Sequence, residues 1–396
     1  MSSLNRLFFY KYKNKTSFRR SLKFLVVVII VALMAPFIAN EQPLIVYDTN
    51  GFHFPALSTS MNVVNYDNAI LRINAPISYS PGVSDFDNSG YIGPFEKQIT
   101  TNANGEQVNK EFLDRHWLGT TLRGCDVLAG LIHGAGISLY VGIFAALLSG
   151  LLGIFLGGFT ALYKVRGKKI SFISLILVLI WLVAFLNIIF NVNGASFIKL
   201  LVIGGLSFAL YYLSKLINSK AQNLATIALP VDFIESQLNV LFSSFPKTLI
   251  IITVGGFIIP GWTSLIFLLA ITGWMEISRT SRAEFLRIIS MNYIDAAKMS
   301  GAGFWKVLFK HLLPNALPAI ITVLVFNVAL CMLTEASLSF LGIGIPGDSV
   351  TWGTLLAEGR DYYKAWWLVV FPGFMITATI YSLLTVGEAF RDSKID

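Results

Sequence analysis

Apolar residues in this chain come in long unbroken blocks. They do not show the strict alternation of a half-buried strand or the three-to-four spacing of a helix with one wet face. The first block, "LKFLVVVIIVALMAPFIA" (Leu22–Ala39), follows Arg6, Lys11, Lys13, Lys15, Arg19 and Arg20. A block of that length predicts a membrane-spanning helix, and the basic run before it predicts an N-terminus held in the cytoplasm. From Asn40 to about Gly134 the pattern changes to polar, with turn formers such as "SYSPGVSDFDNSG" and strand-like pieces such as "PLIVYD". That stretch predicts a small extracytoplasmic domain with some β structure.

"ISLYVGIFAALLSGLLGIFLGGFTALY" (Ile137–Tyr163) then spans back to Lys164, Arg166, Lys168 and Lys169, and its glycines suit close helix–helix contact. Two further blocks, about 170–190 and 197–213, predict an out-and-back hairpin closed by Lys215 and Lys220. An amphipathic segment at Ala221–Lys247 is expected on the cytoplasmic surface. After it come "TLIIITVGGFIIPG", "TSLIFLLAITGWM", and blocks at about 319–341 and 366–384. The expected fold is therefore an all-α polytopic membrane protein with about eight spans and both termini in the cytoplasm. The expected divisions are a basic N-terminus (1–21), a first helix (22–39), the extracytoplasmic insert (40–134) and a helical core (135–396). The core holds the extra hairpin at about 165–221 and a cytoplasmic loop at 281–316.

Composition agrees with the pattern. The 396 residues are 55% hydrophobic and 13% charged, against about a quarter charged in soluble domains. The net charge of +8 sits at span ends, as topology requires, so nucleic acid is not an expected partner. Cys125 and Cys331 form no CxxC pair, and the four histidines are scattered, so no metal site or disulfide framework is expected. No small-x-small cleavage site follows the first helix, which is expected to be retained. The sequence contains no GxxxxGK[ST] phosphate loop, so the chain is not expected to hydrolyse ATP.

The most structured short segment is "DAAKMSGAGFWKVLFKHLLPNALP" (Asp295–Pro318). Ala296 and Ala297 let a partner's surface approach the backbone, and Gly301 permits a left-handed turn that ends a helix. Phe304, Trp305, Val307, Leu308, Leu312 and Leu313 form an apolar face flanked by Lys306 and Lys310. Pro314 and Pro318 are expected to stop the helix before the next span. The loop reads as two short helices forming a cytoplasmic docking knob. On the residues alone, an ordinary basic loop with an amphipathic helix stays open.

The same segment resembles the EAA loop of ABC-importer permeases. Asp295, Ala296, Ala297, Gly301, Leu313 and Pro314 fall at the matching spacings. Asp295 replaces the usual Glu, and His311 stands where Ile is usual, as in the peptide/nickel permease branch. "WLGTTLRGCDVLAGLIHGAGISLYVG" (Trp117–Gly142), "EASLSFLGIGIP" (Glu335–Pro346) and "TWGTLLAEGRDYYKAWWLVVFPG" (Thr351–Gly373) are similar to that branch, with Thr121 and Cys125 where Asp and Arg are usual. "NEQPLIVYDTNGFHFP" is similar to the microcin C–type subgroup. The hairpin at about 165–221 has no counterpart in the family core. The resemblance implies an ABC type I importer permease in the cytoplasmic (inner) membrane. Its loop would dock a separate cytoplasmic ATPase, which holds ATP and Mg, so no cofactor belongs to this chain. It further implies a second related permease and an extracytoplasmic solute-binding protein as partners, beside membrane lipid. Peptides are the implied substrates, with nickel or a peptide antibiotic as alternatives.

Glu335 is the sharpest polar residue inside a span and a candidate pathway residue; a structural hydrogen bond to a nearby Ser or Thr is the plainer reading. Asp232 and Glu235 are expected on a solvated face, and Glu276 in a local ion pair with Arg279. Trp352, Trp366 and Trp367 are expected in an interfacial aromatic belt. An ion-coupled secondary transporter is the competing class. It calls for paired mid-membrane charges and inverted repeats, which the sequence does not display, and it leaves the knob without a task. A membrane-anchored receptor would need only one or two anchors.

Overall fold

The computed structural model describes residues 16–48, 51–57, 70–101, 105–166, 169–171, 226–228, 231–255, 261–344 and 349–392. The chain divides into two compact units, Met1–Gly158 with Leu241–Asp396, and Phe159–Val240.

The larger unit begins with α1 (Thr16–Leu33), followed after a break at Met34 by the short helix Ala35–Ile38, whose first turn takes Pro36. The polar segment that follows is built of short strands. β1 (Ile45–Asp48) pairs antiparallel with β2 (Gly51–His53) and β3 (Leu71–Ile73) in the order β2-β1-β3. β4 (Ile99–Thr101) pairs with β5 (Gln107–Asn109). α2 (Val127–Arg166) is the long glycine-rich helix. The unit continues with α4 (Lys247–Gly255), α5 (Trp262–Ile289), α6 (Asn292–Met299), α7 (Leu313–Phe340), α8 (Trp352–Asp361) and α9 (Trp367–Asp392). α3 (Val231–Ser243) belongs mostly to the smaller unit.

α7 is the central helix, packing on α9, α5 and α8. The main core joins Val127, Leu131 and Leu139 of α2, Met332 and Ala336 of α7, Trp352 of α8 and Leu368 of α9. A second cluster sets Val141 and Ala145 of α2 against Ile251 of α4, Leu265 and Leu269 of α5, and Leu338 of α7. A third joins Phe18 and Leu25 of α1 to Val386 and Ala389 of α9. α2 lies so close to α5 that a Cβ at Gly157 would come 2.5 Å from the Ser278 carbonyl oxygen, and one at Gly153 would come 2.7 Å from that of Trp274. Two turns of helix with glycine on the contact face make this approach available.

The outward faces stay apolar. Leu33, Leu151, Phe155, Val370 and Phe374 are all exposed, as in helices surrounded by lipid or other helices rather than water. Among the described residues, Val127–Leu162, Val307–Phe340 and Trp367–Arg391 are each long and apolar enough to cross a membrane. Phe233–Ser243 with Lys247–Gly255 passes the same test as a pair. Most of the expected hairpin at 165–221 lies outside the described residues. Within the smaller unit, β6 (Lys169–Ser171) pairs antiparallel with β7 (Thr226–Ala228), Ile170 opposite Ile227.

One expectation is overturned. Pro314 and Pro318 do not stop the helix. Phe304–Lys306 runs through a π-helical turn (Val307–Leu312) directly into α7. Pro314 enters just after the π-helical turn, where the Leu313 N–H already bonds back five residues to the Leu308 carbonyl and the widened helix tolerates a residue without an N–H. Pro318 lies inside the helix, and the Thr322 hydroxyl donates to its carbonyl at 3.0 Å. Membrane helices tolerate proline where side chains satisfy the loosened backbone in this way.

Replacing Gly157 with Leu is expected to force α2 off α5 and to destabilise the protein by about 1–3 kcal/mol, the usual cost of overpacking. A lowered melting temperature in detergent checks this, with Gly261→Ala, where an added Cβ meets nothing within 4 Å, as the control.

Candidate coupling surface and membrane-embedded polar sites

α5 ends over a buried floor of Phe285, Ile288 and Ile289. The chain then turns into α6, whose Ile294 is fully buried while Asp295, Ala296 and Met299 are exposed. Asp295 stands in the first turn of α6, where a carboxylate complements the helix dipole. Gly301 ends the helix at a φ of 82°. The Ala302 N–H reaches back to the Ala297 carbonyl at 3.1 Å and that of Ser300 to Ala296 at 3.0 Å, a left-handed helix cap. No atom lies within 4 Å of a Cβ placed on Gly301, so the glycine is needed for its backbone and not for room beneath it.

After the cap, Val307, Leu308 and Leu312 point inward and are buried, while Trp305 and Phe309 stack outward with ring centroids 5.7 Å apart. Lys306 and Lys310 are exposed beside them. Asn315 fastens α6 to the start of α7, donating to the His311 carbonyl at 2.7 Å and to the Tyr293 hydroxyl at 3.2 Å. His311 falls in the π-helical turn, and Leu313 and Pro314, both half-buried, open α7. Asp295, Ala296, Ala297 and Gly301 thus form a protruding ridge. His311, Leu313 and Pro314 form the stem joining it to the central helix of the bundle.

Glu335 is completely buried between α2, α7 and α8. The Ser138 hydroxyl donates to Oε2 at 3.2 Å and the Ser339 hydroxyl to Oε1 at 3.0 Å, with Thr351 bonding from the N-cap of α8. Beside it the Trp352 indole donates to the Leu131 carbonyl at 2.9 Å. This carboxylate joins three helices by their side chains, and it does not line the cavity in this unit.

That cavity, about 620 Å³, lies between α4, α5, α7 and α9. Lys247, Glu276, Glu284, Thr322, Asn327 and Arg391 are among its polar walls. Glu276 pairs with Arg279 at 3.7 Å and Glu284 with Arg287 at 3.0 Å, each one helical turn apart. The Asn327 amide donates to Ser149 Oγ at 2.6 Å and lies against Gly273, where a Cβ would come within 3.2 Å of it.

Three placements differ from expectation. Glu235 is buried and not on a solvated face. Trp352 and Trp367 are buried anchors and not belt residues: their indole N–H groups find backbone acceptors, Trp367 donating to the Thr120 carbonyl at 3.1 Å. Trp366 is exposed. The Asp232 side chain lies outside what is described.

Residues 138–393, which carry the ridge, its stem, the cavity and Glu335, match the family described as binding-protein-dependent transport system inner membrane component. The chain belongs to that family. Similarity to individual members reaches along almost the whole chain. It is 26% identical to the inner membrane ABC transporter permease protein YejE of Escherichia coli (strain K12), over 99% of this chain and 97% of that one. The dipeptide transport system permease protein DppC of Bacillus subtilis (strain 168) is 28% identical over 70% of this chain and 68% of its own. The peptidoglycan transport system permease protein YejE of Agrobacterium fabrum is 35% identical over 39% and 40%.

Membership in this inner-membrane transport family makes the cavity polar groups relevant; of these the sequence marked Glu276 but not Asn327. Asn327 stands alone in "TVLVFNVAL", an amide in an otherwise apolar run. That is the signal that would have found it. Nothing local marks Ser149 as its partner, 178 positions away.

Gly301→Arg is expected to leave membrane insertion unchanged. The left-handed backbone costs a side chain roughly 1–2 kcal/mol, and the arginine projects outward from the exposed ridge. Uptake should fall at least about tenfold while the ATPase partner continues to turn over, measured as solute uptake against ATP hydrolysis in reconstituted vesicles.

Glu335→Gln keeps an acceptor for one hydroxyl and offers an N–H to another, and is expected to retain most uptake. Glu335→Leu leaves buried hydroxyls unpaired, at about 1–3 kcal/mol each, and should lower the melting temperature and uptake together. Loss of uptake in the Gln variant with an unchanged melting temperature would show that the carboxylate itself takes part in transport.

Proposed function

We propose that this chain is the permease subunit of an ATP-driven importer of peptides, with the ridge from Asp295 to Gly301 docked on a separate ATPase. The observation that carries the reading is the coupling between ridge and bundle. A rigid cap at Gly301 and the Asn315 clamp attach the exposed helix α6 to α7, the helix on which α5, α8 and α9 pack. A push on α6 therefore reaches the centre of the bundle through packed side chains rather than through a slack loop.

In this reading the chain crosses the membrane about eight times, with both termini, the ridge and the cavity's charged mouth on the ATP-containing side. The strand-rich segment before α2 then faces the solute-binding protein. A second permease completes the pathway, and the half-polar cavity faced by Asn327 forms part of it. The relatives' names speak of dipeptides and of peptidoglycan, so the cargo class is peptides, including peptide-bearing wall fragments. ATP and Mg belong to the ATPase, and this chain contributes docking and passage.

Affinity purification of the tagged full chain in mild detergent, with mass spectrometry of what accompanies it, tests the assignment. An ATPase and a second permease of the same family are the expected companions. Recovery of the chain alone, after cross-linking in cells, would overturn it.

A further inference from the structure

A buried charge cluster sits where the strand-rich segment meets α2, away from the ridge and the cavity. His116 is fully buried. Its Nδ1 lies 2.9 Å from Asp126 Oδ2 and its Nε2 lies 3.0 Å from Asp85 Oδ2. Asp85 also accepts from the Lys110 ammonium and from Asn88 Nδ2. Asp126 accepts from the Ala129 N–H at 2.6 Å through Oδ1, capping the first turn of α2. Asp85 Oδ2 thus already meets two donors, the Lys110 ammonium and the Asn88 amide, and Asp126 meets the Ala129 N–H through its other oxygen. An imidazole can face two such oxygens only if both of its nitrogens carry hydrogen. The cluster then balances, with two carboxylates against one ammonium and one imidazolium.

The surroundings hold His116 in that pose. Gln98 brackets its backbone, accepting from the His116 N–H at 2.7 Å and donating to its carbonyl at 3.0 Å. The Tyr79 ring covers the imidazole at a centroid distance of 4.1 Å, with its hydroxyl 2.6 Å from Lys110 Nζ. Lys110 Nζ stands 3.4 Å from Nε2 and opposes protonation. The same loop is tied onward to α9 through Thr120 and Trp367.

We propose that His116 is a proton-dependent bolt: as an imidazolium it joins the segment carrying Asp85 and Lys110 to Asp126 at the head of α2, and loss of its proton releases that segment. Without the proton, a nitrogen lone pair of the fully buried imidazole is left facing a carboxylate oxygen at about 3 Å, and the charges of the cluster no longer balance. The bolt stands on these contacts alone. Only the compartment whose pH it senses, the outer one, rests on the topology proposed above.

The titration runs in a definite direction. Burial alone lowers the His116 pKa, but the hydrogen bonds to Asp126 and Asp85 outweigh it and raise the value above that of an ordinary histidine. Burial likewise pushes Asp85 up, and the bonds from His116, Lys110 and Asn88 outweigh that and hold it well below the usual carboxylate range. A raised His contributes stability that is complete below its unfolded pKa and is lost as pH rises through the folded one. A depressed Asp loses its contribution only as pH falls through its folded value. The bolt is therefore closed at low pH and opens as pH rises through a value above that of an ordinary histidine.

The experiment uses the full chain in detergent with ¹⁵N-labelled histidine, titrated from about pH 5 to about pH 10, with His116→Gln to assign the signal among the four histidines. Limited proteolysis of residues 84–126 is followed in parallel. The His116 nitrogens should both show the N–H signature at pH values where the other histidines have deprotonated. Cleavage should rise about tenfold with the same midpoint as its loss. Asp126→Asn should move both midpoints down together by about one pH unit. A neutral His116 at about pH 6, or proteolysis indifferent to its titration, would overturn the proposal. Both readouts exist in the wild-type chain, so a variant that fails to fold does not remove the test. The copurification result for the importer bears on neither.

Discussion

The carbonyl of Ser278 lies where a side chain on Gly157 would have to go, and much of the molecule's order depends on that contact. Lipid offers helices no hydrophobic reward for associating with one another, so they hold together by close packing and by the few polar bonds they can bury. Glycine at 153 and 157 lets α2 come down on the backbone of α5. The same helix, further along, presents Ser149 to Asn327 and Ser138 to Glu335 of α7. Close approach and polar bonding are linked here: hydrogen bonds of 2.6 and 3.2 Å across helices require backbones already near each other.

The ridge inherits its stiffness from this bundle. Its floor of Phe285, Ile288, Ile294 and Leu312 is buried, and its far end is sealed by a left-handed cap instead of a flexible loop. The π-helical turn before α7 widens the helix where Pro314 enters, so the chain passes from ridge to span without a break. The stretch Phe304–Phe340 has no joint that ends its helical course.

Polar groups away from the ridge divide by what surrounds them. Glu335 is enclosed by hydroxyls and serves three helices, whereas Asn327 lines a cavity. The His116 cluster is enclosed too, but by charges, which makes its contacts conditional on a proton in a way that hydroxyl contacts are not.

The amino-acid sequence by itself determined that this is a helical membrane chain and where the short exposed helix ending at Gly301 lies. Long apolar blocks, basic residues at their ends and the Asp-Ala-Ala…Gly…Leu-Pro spacing are local properties, and the physics they report acts over one helix or one turn. Prolines 314 and 318 misled because their effect depends on neighbours: a π-helical turn and the Thr322 hydroxyl absorb what would end an isolated helix. The tryptophans misled likewise, since an indole N–H is satisfied equally by an interface or by a buried carbonyl, and only the fold places Leu131 and Thr120 within reach of two of them. Tertiary structure alone brought Ser149 to Asn327, Ser138 to Glu335, and Asp85 to a histidine that looked solitary in the sequence. Each of those pairs is separated by dozens to hundreds of residues, and no periodicity or motif encodes a partner that distant; the packing of α2 on its neighbours does.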